Sequence, residues 1–86
     1  MSEEKQTIPH MVMVDRFIEI ANDFSRSATK ESVGAAIMFA AARYNAYEAS
    51  TKSKNIAADR NDARTWYSNE YQRMWDANMD EFAEVK

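Results

Sequence analysis

The sequence predicts an all-α fold: three helices in an up-down-up arrangement around a central, alanine-rich helix. Three observations predict it. There is one Gly and one Pro in 86 residues, so chain breakers are too scarce for a sheet with its several turns. Apolar residues recur at steps of three and four on either side of the middle of the chain, which is the helical period. The middle itself, Val33 to Ala49 (VGAAIMFAAARYNAYEA), is apolar nearly all round, with Arg43, Asn45 and Glu48 its plainly polar residues. A helix of that kind is buried on several sides. It is shorter than the roughly 20 apolar residues that cross a bilayer, and Arg43 interrupts it.

Taken in order, residues 1–8 read as a disordered polar tail. Pro9 suits a first helical turn, with Thr7 or Ile8 near the cap. Helix one is expected over about 9–26, with His10, Val14, Phe17, Ala21, Phe24 and Ala28 along its seam. Thr29 is the natural N-cap of helix two, expected over about 30–50, and Glu31 meets the positive end of its dipole. Residues 50–55 (STKSKN) form a polar loop, and Asn55 caps helix three, expected over about 56–84. Along that helix Ala63, Tyr67, Tyr71, Met74, Asn78, Phe82 and Val85 share a side. No repeat or linker divides the chain, so a single helical domain spanning 1–86 is expected.

Composition narrows the chemistry. Without Cys there are no disulfides, thiolate metal sites or cysteine nucleophiles. The single histidine, His10, has no glutamate three residues before it. The paired Glu-x-x-His ligands of a di-metal helical bundle are therefore missing. Gly34 is the only glycine, which excludes a glycine-rich phosphate loop and a nucleophile elbow. Gly34 is expected to let another helix approach closely. No catalytic residue, metal or cofactor is expected. A formal net charge of −3 argues against a general nucleic-acid binder. The polar N-terminus does not read as a signal peptide, and the cytoplasm is the expected location.

Two groups of residues stand out instead. Arg43, Asn45, Asn22 and Asn78 are polar residues set in apolar helix segments. An arginine in that setting either lays its stem on the core and reaches water, or is buried against a carboxylate of another helix. The second reading makes Arg43 at least half-buried, within a polar pocket or a register-fixing network. Helix two also carries two seams with 4-3 spacing: Val33, Ile37, Ala40, Tyr44 and Tyr47, and then Ala35, Phe39, Ala42, Ala46 and Ala49. They lie about 160° apart. One seam can be met by the chain's own helices, and the alanine-rich one by a second copy.

Three blocks carry a family resemblance: Arg16–Asn22 (RFIEIAN), Phe39–Tyr47 (FAAARYNAY) and Asn78–Phe82 (NMDEF). They resemble DUF3144, a family of small proteobacterial proteins of unknown function. The likeness covers about residues 14–82 and departs from the family pattern over 50–64. It implies a bacterial, cytosolic, helical protein and transfers no activity and no site residue.

The leading functional reading is a non-enzymatic helical module for association, with itself as a homo-oligomer and with another protein, away from membranes. The alternative is a nucleic-acid-binding accessory protein. It would use the 52–67 segment, where Lys52, Lys54, Arg60 and Arg64 precede Trp66 and Tyr67.

Overall fold

The computed structural model describes residues 7–85, so the expected tail over 1–8 lies largely outside the described residues. The structure is three α-helices: α1 is His10–Phe24, α2 is Lys30–Lys52 and α3 is Ile56–Val85. Among the described residues there is no strand. All-α is thus the fold class, and each boundary falls within about two residues of the sequence expectation.

Local chemistry sets the helix ends. Pro9 takes the N-cap position of α1 with no side-chain cap, and its carbonyl accepts from the N–H groups of Val12 and Met13. The helix closes at Ser25, whose hydroxyl and backbone N–H both donate to the Ala21 carbonyl. Thr29 Oγ1 accepts from the Ser32 N–H at 3.1 Å, and Asn55 Oδ1 accepts from the Ala58 N–H at 3.2 Å. Both expected caps are formed. Glu31 and Asp59 stand in the first turns of α2 and α3, and Lys52 in the last turn of α2, all matched to the helix dipole.

The chain divides into two compact units, with the boundary inside α2 between Ala41 and Ala42. In the first unit the buried residues are Ala21 on α1 and Val33 on α2, with Val14 partly buried. The second unit has partly buried residues only: Asn45, Glu48, Ala49 and Ser50 on α2, Ser53 in the connection, and Ala63, Tyr67 and Glu70 on α3. Its inner surface is therefore small and polar. The three-residue connection Ser53–Asn55 turns α3 back along α2, so that Tyr67 meets Glu48.

Most of the expected core faces outward. Phe17 and Phe24 of the α1 seam are 71% and 61% exposed, and Tyr71, Met74, Phe82 and Val85 of the α3 seam are all exposed. Two paired helices cover only a narrow strip of each other, and the residues nearest that strip are small. Larger side chains on the same stripes flank it and stay outside. Gly34 also departs from expectation. A Cβ built there meets nothing within 4 Å, so among the described residues none approaches closely at that point.

Candidate interaction surface

Within the second unit, Arg43, Asn45 and Asn78, expected to share a polar core, do not come together. Arg43 is exposed, and among the described residues no carboxylate lies within ion-pair distance of it. The interhelical pair expected for Arg43 is therefore not formed. Its flexible four-carbon reach lets an arginine on an apolar helix keep its head group in water. Asn45 is partly buried and donates from Nδ2 to Glu48 Oε1 at 3.2 Å. Asn78 is exposed and donates from Nδ2 to the Met74 carbonyl at 2.8 Å. Asn22 is exposed. Asn45 and Asn78 thus bond within their own helices, and no network links one helix to another through these residues.

The second unit contains a shallow groove of about 390 Å³ beside its inter-helix connection, lined among others by Lys52, Asp59, Asp62, Trp66 and Tyr67. Ser53 Oγ donates to Asp59 Oδ2 at 2.7 Å, which pins the groove's acidic edge. Trp66 and Tyr67 meet edge to face with centroids 5.0 Å apart, and Trp66 is 58% exposed. The Tyr67 hydroxyl titrates above its ordinary value, first because it is partly desolvated and then because the nearby Glu48 carboxylate opposes its ionisation. Lys52 lies 4.0 Å from Glu48 in an exposed pair, which is worth little. The basic and aromatic residues over 52–67 are thus interleaved with two carboxylates, Asp59 and Asp62, and Lys52 faces a third, Glu48.

Uncovered apolar surface is what dominates. Among the described residues, 21 large hydrophobic side chains are exposed, from 42% at Met13 to 82% at Val85. Scattered apolar side chains are ordinary on a surface, but these are ranked along helix faces. Of the alanine-rich seam on α2, Ala35, Phe39, Ala42 and Ala46 are exposed, Phe39 by 69%. Ala49 is partly buried, at the groove. The opposite seam is buried only at Val33; Ile37, Tyr44 and Tyr47 are exposed. Tyr44 and Tyr47 touch each other at 5.8 Å. The helical period named these stripes. It carries no signal that they would be left uncovered, nor that Tyr67 would pair with Glu48.

Among the described residues no three His, Cys, Asp or Glu side chains gather as metal ligands, and no helix is long and apolar enough to cross a membrane. Fold and surface together define a small all-α protein with few buried side chains and long apolar helix faces turned outward. The chain belongs to the DUF3144 family, proteins of unknown function, whose family model matches residues 11–83. No curated protein and no solved structure matches it.

Proposed function

We propose that this protein is a non-enzymatic association module that works as a homo-oligomer. The observation that carries the reading is the ratio of covered to uncovered apolar side chains. Ala21 and Val33 are buried, while 21 large hydrophobic residues are exposed among the described residues. Apolar side chains gathered along helix faces mark a contact with another macromolecule. The alanine-rich seam, Ala35, Phe39, Ala42 and Ala46, is one face for that contact, since small side chains let a second backbone come close. The non-enzymatic part rests on the sequence chemistry of one His, no Cys and one Gly. The family resemblance adds a bacterial setting, and the lack of Cys suits a reducing compartment such as the cytoplasm.

Nucleic-acid binding through 52–67 is the weaker reading. Asp59 and Asp62 line the same groove as Lys52 and Trp66, and they repel phosphate where a base would stack.

Light scattering coupled to size exclusion, run over a range of protein concentrations, tests the proposal. A dimer or larger assembly is expected, and where the alanine-rich seam is its contact Ala42→Glu dissociates it by placing a charge there. A wild-type monomer at high micromolar concentration, with Ala42→Glu folding unchanged, overturns it.

A further inference from the structure

Within the second unit, helix α3 has a face that α2 leaves free along its whole length. Tyr71, Trp75, Asn78, Phe82 and Val85 follow the alternating 4-3 spacing of a two-helix seam, and all five are exposed. Carried toward the N-terminus, the same register passes Ser68, Arg64, Asn61 and Ala57, which are exposed as well. Ala63, Tyr67 and Glu70, the partly buried residues of α3, follow a different line, so α2 leaves this face open.

The face is polarised. Its C-terminal half is apolar and lies in a segment, 70–85, with five acids and one base. Glu81 borders the stripe there. The N-terminal half has Arg60 and Arg64 on the same side, while Asp59 and Asp62 fall on the far side of the helix. Such a helix is complementary to itself in one orientation only, antiparallel.

We propose that two copies of the chain pair through this face, α3 against α3, about a twofold axis near residue 70. In that register Arg60 of each copy lies opposite Glu81 of the other, and Arg64 opposite Trp75. The first pair centres between residues 70 and 71 and the second between 69 and 70, so the two straddle residue 70, and each forms twice. The first is a flanking ion pair of the kind that fixes orientation in helix pairs. The second places a guanidinium on an indole face. A parallel, in-register pairing would instead leave Arg60 and Glu81 about 30 Å apart along the helix axis.

The charge pattern of the face argues for a second copy as the occupant: the arginines beside its N-terminal half and the glutamate beside its C-terminal half lie on one helix, so a second α3 running antiparallel supplies the complement of each.

This inference rests on the self-association proposed above, and sedimentation equilibrium of the full chain separates the two. The expected results are a dimer that weakens as salt is raised, dissociation about tenfold easier in Arg60→Glu and in Glu81→Arg, and recovery when both changes are combined. Circular dichroism of each variant reports whether it remains helical. Recovery in the double variant cannot come from misfolding. A monomeric wild type overturns both readings. A dimer that is lost in Ala42→Glu but indifferent to the α3 reversals overturns the α3 pairing alone. A double variant as weak as the singles overturns the antiparallel register.

Discussion

Glu48 of α2 faces Tyr67 of α3, carboxylate to phenol, on the inner side of the second unit. Asn45 Nδ2 holds the same carboxylate at 3.2 Å. The inner surface between these helix segments is thus polar, while Tyr71, Trp75 and Phe82 point away. This inverts the usual plan of a helical hairpin, whose apolar residues face inward.

The pairing predicts a pH dependence. Partial desolvation, then the nearby Glu48 carboxylate, raise the Tyr67 pKa above 10.0. A phenol whose folded pKa is raised stays neutral in the folded protein while it ionises in the unfolded chain. Its contribution to stability is present below pH ~10 and lost as pH rises through the folded pKa. Glu48→Gln removes the opposing charge and should return the highest-titrating tyrosine toward the ordinary value. Tyrosinate absorbance read against pH measures it, with Tyr67→Phe identifying the residue. An unchanged titration curve in Glu48→Gln contradicts the pairing.

Uncovered apolar faces make stability depend on protein concentration. If association covers them, the thermal midpoint should rise as the protein is concentrated, because binding that favours the folded state stabilises by mass action. Differential scanning calorimetry over a hundredfold range of concentration checks it. A midpoint independent of concentration would show that the monomer is the stable unit.

The caps should contribute locally and independently. Thr29→Ala and Asn55→Ala each remove a side-chain acceptor from a helix N-terminus, at a cost of about 1 kcal/mol apiece. The two sites stand at opposite ends of α2 and share no hydrogen-bond partner, so the double variant should lose about 2 kcal/mol. Urea unfolding at one fixed protein concentration compares them.

These caps also show what was legible in the sequence. Thr29 and Asn55 act on backbone groups two to four residues away, and so do the polar breaks that end α1 and α2; such short-range chemistry is written in the order of residues. Which residues share a helix face was equally legible, as the stripes on α1 and α3 demonstrate. Whether anything lies against a face was not. Phe17, Phe24 and Phe82 have the spacing of core residues and are exposed, because periodicity reports a side of a helix and not its cover. Arg43 reads as buried only if its alanine neighbours are taken as core. With those neighbours exposed, the guanidinium has no reason to seek a carboxylate.

For the same reason Arg43→Ala should be nearly silent. The side chain is exposed, with no ion pair among the described residues. Surface replacements of this kind change stability by about 0.5 kcal/mol or less. A loss of about 3 kcal/mol or more in urea unfolding would instead reveal a buried pair.

Gly34 offers the sharpest contrast between the two ways of reading the chain. A lone glycine in an alanine-rich helix suggests a crossing point where a second backbone needs room. In the structure a Cβ at Gly34 meets nothing within 4 Å, its φ is not positive, and it sits inside the first half of α2. Glycine there brings only its entropic cost, about 0.5–1 kcal/mol relative to alanine. Gly34→Ala should therefore raise the urea midpoint by that amount and leave the oligomeric state as it is. If the substitution weakens the assembly in sedimentation while the isolated chain remains helical, a second copy is using the space that Gly34 leaves open. The crossing point would then lie between molecules, not within one.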